Sequence, residues 1–114
     1  MTWVYKICPA TAWAAAKAAG HYPGAPVDLQ DGFIHLSAGH QLDGTAARHF
    51  AGQTGLVLVA FDAAGLGAGL RWEPSRGGDV FPHFYGALDP ATALWVKPLP
   101  WTGTGHQFPD LNTP

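Results

Sequence analysis

Charge is scarce in this chain. Of its 114 residues only 12% are Asp, Glu, Lys or Arg, about half the roughly 25% usual in globular proteins. Six basic residues against eight acidic ones give a formal charge of -2, which argues against a nucleic-acid-binding surface. Like charges never run together, so an electrostatic tail is excluded. Cys8 is the single cysteine, which rules out an internal disulfide and fits a reducing, cytoplasmic setting. The longest uncharged stretches are rich in Ala and Gly rather than strongly apolar, so no membrane span is expected. The start, Met1-Thr2-Trp3-Val4-Tyr5-Lys6, has no basic segment followed by an apolar one, so no signal peptide is expected. Glutamate is nearly absent as well: seven of the eight acids are Asp, and Glu73 stands alone.

What is present is apolar. A hydrophobic share of 47% at low net charge argues for a folded core rather than disorder. A chain of this mass exposes about 6,000 Å² folded and about 17,000 Å² unfolded, so roughly 65% of its surface is buried on folding. That suffices for one domain without metal or disulfide staples.

Residues 3–8, β-branched and aromatic and followed by Pro9, predict a strand. The alanine-rich stretch 10–19 predicts a helix closed by Gly20, with Trp13 and Ala16 on one face. His21–Gly24 reads as a turn. Phe33–Ser37 predicts a short strand entered through Asp31-Gly32, followed by a helix over 38–51 with Leu42, Thr45, Ala46, His49 and Phe50 in one stripe. Residues 56–61, Leu-Val-Leu-Val-Ala-Phe, predict a central strand covered on both faces. The glycine-rich stretch 63–69 reads as a loop. Extended pieces follow at 70–73, 80–85 and 93–97, with turns at Ser75–Asp79 and Gly86–Pro90. Pro82 cannot donate a ladder bond, so the second piece is expected at an edge or bulge. The fold class is α+β, one domain over residues 1–99 with two main helices and a mixed or antiparallel sheet. Residues 100–114, with three Pro and two Gly, are expected to form a partly ordered tail.

Strand alternation gathers the polar groups. Phe33, His35 and Ser37 point one way from the first short strand. Phe81, His83 and Tyr85 share a face of another, and Arg71 and Glu73 a face of a third. A solvated face would use Lys, Glu, Thr or Gln. Histidines beside aromatics suit a cleft instead, where the rings exclude water and stack while His, Ser, Tyr and Arg orient a ligand. Each residue also has a plainer role. His35 and His83 serve equally as half-buried histidines satisfied by backbone carbonyls. Tyr85 serves as a core aromatic, Ser37 as an N-cap, and Arg71 with Glu73 as an ordinary ion pair. Arg76, in Ser-Arg-Gly-Gly-Asp, is a candidate anion binder.

Metal signatures such as His-Glu-x-x-His or a Cys pair are missing. A three-strand ligand set of His35, His83 and Glu73 is geometrically open, but no metal is expected. Cys8, at a strand end with no partner, is not a candidate nucleophile. No phosphate-binding glycine fingerprint occurs.

The stretches Val4-Tyr5-Lys6-Ile7, Asp31-Gly32-Phe33-Ile34-His35-Leu36-Ser37, Leu70-Arg71-Trp72-Glu73 and Phe81-Pro82-His83-Phe84-Tyr85-Gly86 closely resemble the bacterial family known as domain of unknown function 952. The resemblance spans about residues 3–99, with Phe84 where Leu is more usual. It implies a distant relative of the ADP-ribosyltransferase fold, a split and bent sheet with a cleft for a nicotinamide dinucleotide. It implies His35 as the ribose-holding residue, Tyr85 as the aromatic packing the nicotinamide and Glu73 as the residue assisting transfer. The order departs from that group, because Glu73 precedes Tyr85.

Three functions follow as expectations. The first is a transferase or hydrolase on a nucleotide-like, NAD-type molecule, with His35, Glu73 and His83 catalytic and Ser37, Arg71, Arg76 and Tyr85 binding. The second is a non-catalytic module binding a small ligand in the same cleft. The third is an interaction domain whose His-aromatic faces are covered by a partner. NAD is suggested by fold resemblance alone. The expected partner is a small molecule rather than nucleic acid or membrane.

Overall fold

In the computed structural model, which describes residues 2–112, seven strands form two antiparallel sheets. The strands are β1 (Trp3–Pro9), β2 (Ile34–His35), β3 (Ser37–Ala38), β4 (Leu56–Asp62), β5 (Leu70–Pro74), β6 (Val80–Phe84) and β7 (Trp95–Leu99). A four-stranded sheet runs β3-β1-β4-β7, and a three-stranded sheet runs β2-β6-β5. All the pairings are antiparallel, which decides between the two sheet types left open above. Four helices accompany them: α1 (Ala10–Ala19), α2 (Pro26–Asp31), α3 (Leu42–His49) and α4 (Ala63–Leu66).

β4 is the apolar run expected at the centre. It pairs with β1 along its whole length and with β7 on its other edge, and Leu58, Val59, Ala60 and Phe61 are fully buried. Alternation splits its side chains between two cores. Val59 and Phe61 join Val4, Cys8, Trp13, Ala16, Ile34 and Leu36 on the face toward α1 and the small sheet. Leu56, Leu58 and Ala60 join Tyr5, Ile7, Trp95 and the α3 residues Leu42 and Ala46 on the other. Phe108 and Leu111 of the C-terminal stretch pack against this second core.

The alanine helix forms where expected, with Trp13 and Ala16 buried and Gly20 ending it at φ +84°. Other elements differ. The 38–51 helix is shorter: a 3-10 turn at Gly39–Gln41 precedes α3, which ends at His49. Ser37 is not its N-cap, because the Ser37 hydroxyl lies 2.9 Å from Thr45 Oγ1 and the Gln41 side chain accepts from Ala38 N instead. The stretch 63–69 is a helical turn followed by a 3-10 turn rather than an open loop. The α2 helix has no counterpart in the sequence-based expectation.

The most informative difference is in the strand expected over 33–37. It divides at Leu36, with β2 in the small sheet and β3 in the large one. Pro82 explains the break and also overturns its own expected placement, because β6 is the central strand of its sheet. In an antiparallel ladder a residue's N–H and C=O point to the same neighbour. Pro82 O accepts from Leu36 N at 3.0 Å, so its missing N–H also faces β2. The ladder fails there, and the chain leaves for the other sheet one residue later. Pro82 is accommodated where β2 ends, not at a sheet edge.

Candidate functional site

Cross-strand register builds the site. His35 lies opposite His83, and His83 opposite Arg71, so one row of the small sheet carries both histidines and an arginine. The same face carries Glu73, Phe81 and Tyr85 by alternation. Ile34, Leu36 and Phe84 point the other way, into the core. The imidazoles of His35 and His83 are 5.5 Å apart, edge to face at 68°. The Phe33 ring stacks on His83 at 4.1 Å and lies 4.6 Å from His35.

Each histidine is held by carboxylate. His83 Nδ1 is 2.8 Å from Glu73 Oε1, and the Tyr85 hydroxyl donates to the same oxygen at 2.8 Å. These two hydrogen bonds hold the Glu73 carboxyl below the usual range, and the bond to Glu73 pushes the Tyr85 hydroxyl above its own. Arg71 caps the assembly, its guanidinium 5.1 Å from the Tyr85 ring centre.

His35 Nδ1 is 2.7 Å from Asp28 Oδ1, and Nε2 is 3.0 Å from Asp31 Oδ2. Asp28 is completely buried and highly connected. Its Oδ2 meets Lys6 Nζ at 2.8 Å and accepts from Ala25 N at 2.8 Å, while Oδ1 accepts from His35 N at 3.1 Å. Burial alone raises the Asp28 carboxyl, but the Lys6 charge and these hydrogen bonds outweigh it and hold the group below its ordinary value. Lys6 Nζ also donates to His35 O at 3.1 Å. The result is a chain of polar side chains, Lys6–Asp28–His35–Asp31, running from the core to the surface.

These groups border a cleft of about 690 Å³. Its walls include Lys6, Asp31, His35, Ser37 and His83 on one side and Thr45, Arg48, His49 and Phe50 of the α3 segment on the other. His35, Ser37 and His83 thus meet at one cleft, a meeting that alternation within single strands left open. Arg71, Glu73 and Tyr85 do not line it; they stand behind His83. The side chain of Arg76 lies outside the described residues. Among the described residues, no three His, Cys, Asp or Glu are grouped to hold a metal ion, and no helix is long and apolar enough to cross a membrane.

Asp28, Lys6, Asp31 and Arg48 were missed by sequence reasoning. Lys6 left a signal: a lysine between Tyr5 and Ile7 in an otherwise apolar strand requires an acidic partner if buried. Pro26 with Asp28 two residues on is a helix-start signature that would have revealed α2.

The family model for proteins of unknown function (DUF952) matches residues 7–96. The X-ray structure of protein CC0527 from Caulobacter crescentus is 48% identical and superposes with a TM-score of 0.90, covering 93% of this chain and 94% of that one. A solution NMR structure of the same protein is 49% identical, with a TM-score of 0.83 over 93% of this chain and 91% of that one. No curated protein matches the chain.

Proposed function

The chain belongs to the DUF952 family of proteins of unknown function, and for its His-aromatic cleft we propose acid–base catalysis on a small polar molecule. One observation carries this reading: two carboxylate-held imidazoles, 5.5 Å apart, at one cleft. With Nδ1 facing Glu73, His83 carries its hydrogen on Nδ1 and keeps an Nε2 lone pair as a base. Asp28 fixes His35 through Nδ1, which leaves Nε2 as the ring nitrogen to exchange a proton with a bound molecule. Phe33 stacks on one face of His83 and shields it from water. Glu73 is here a positioning residue that fixes the orientation of His83, with Tyr85 fixing Glu73 in turn.

The finer reading is a transferase or hydrolase for a nucleotide-like, NAD-type molecule. It rests on the likeness to the ADP-ribosyltransferase fold implied by the sequence motifs. The cleft volume falls within the roughly 300–1,000 Å³ typical of small-molecule sites. Incubation with NAD followed by mass spectrometry tests it. Turnover that falls about a hundredfold or more in His83→Gln supports catalysis. One feature favours a non-catalytic binding module: Glu73 and Arg71 stand behind the cleft wall, away from where a ligand would react. NAD binding without turnover supports that module, and the lack of both removes the nucleotide.

A further inference from the structure

The two carboxylates on His35 differ in kind. Asp28 is sealed in the core with Lys6, Ala25 N and His35 itself. The Asp31 side chain is 41% exposed and lines the cleft. Its contact with His35 Nε2, at 3.0 Å, is its one hydrogen bond or ion pair among the described residues. Asp31 ends α2 and is followed by Gly32, at φ +86°. The helix is anchored by Asp28, so the Asp31 side chain can swing away without moving it.

We infer that Asp31 occupies, from within the protein, the place of a ligand oxyanion, so that the cleft takes molecules bearing a carboxylate or phosphate group at His35 Nε2. The inference rests on the cleft being a ligand site and names the chemistry it accepts. A carboxylate oxygen already stands 3.0 Å from this ring nitrogen, so the same place admits the oxyanion of a ligand. The Arg48 side chain lines the same cleft and makes no hydrogen bond or ion pair with a described residue, so an incoming anion gains a cation that Asp31 does not use. Asp31 then acts as a built-in competitor that a ligand must displace.

Titration of the full chain with inorganic phosphate and with sodium acetate, followed by calorimetry and by the NMR signal of His35 Nε2, tests this. Asp31→Asn and Asp31→Ala are expected to bind the preferred anion about threefold or more tightly than the unaltered protein, with the His35 signal moving on addition. Asp43→Asn, which removes the same charge from an exposed position outside the cleft lining, is expected to match the unaltered protein. Preference for phosphate identifies a phosphate-bearing ligand, and preference for acetate a carboxylate. Equal or weaker binding in both Asp31 variants, or tightening in Asp43→Asn as well, overturns the inference. The catalytic reading is judged separately by His83→Gln, so either idea can fail while the other stands.

Discussion

Asp28 organises the cleft more than either histidine does. It fixes His35 through the ring and the backbone, neutralises Lys6 and ties down the start of α2. Asp28→Ala leaves an ammonium buried without its partner, which costs about 3–5 kcal/mol and is measurable by denaturant unfolding. The same residue sets an acid-side slope. Its folded carboxyl titrates below its unfolded value of about 3.9, so its stabilisation is complete above that pH and fades as pH falls through the lower folded value. Asp28→Asn is expected to flatten this part of the stability profile, as followed by thermal unfolding between about pH 5 and 2. The faces of His35 and His83 were legible because period-two alternation needs only neighbouring residues, but their meeting at one cleft was not, because it depends on how β2 pairs with β6. The Lys6–Asp28 pair spans 22 positions and joins a strand to a helix, and no local pattern links them.

At the level of elements, the loop before α2 is under the tightest restraint. Gly24 sits at φ +117°, and a Cβ placed there would lie 2.7 Å from the Asp28 Cβ. Gly20, at φ +84°, has open space around it. Gly24→Ala is therefore expected to cost about 2–4 kcal/mol, combining backbone strain with the clash, against about 1 kcal/mol for Gly20→Ala. Thermal melts of the two variants compare them directly, and equal losses would show that Asp28 yields easily. The elements with a strong local signature, α1 and β4, were legible almost to the residue. The division of β2 from β3 was not, because it depends on which neighbour faces the missing N–H of Pro82. That is settled only when the sheets assemble.

Across the whole molecule, the scarcity of charge becomes a matter of distribution. Of six Lys and Arg and eight Asp and Glu, Lys6, Arg48, Arg71, Asp28, Asp31 and Glu73 all gather at or behind one cleft. Two apolar cores lie either side of the large sheet. The exposed area of 6102 Å² agrees with the roughly 6,000 Å² expected for this mass. His83 is the residue on which the proposed acid–base reading of this cleft turns. Long-range proton–nitrogen NMR of the imidazoles at alkaline pH measures it most directly. The account predicts a neutral His83 with its hydrogen on Nδ1 and a bare Nε2, and loss of that preference in Glu73→Gln. A hydrogen resident on Nε2 of His83 in the unaltered protein would contradict it.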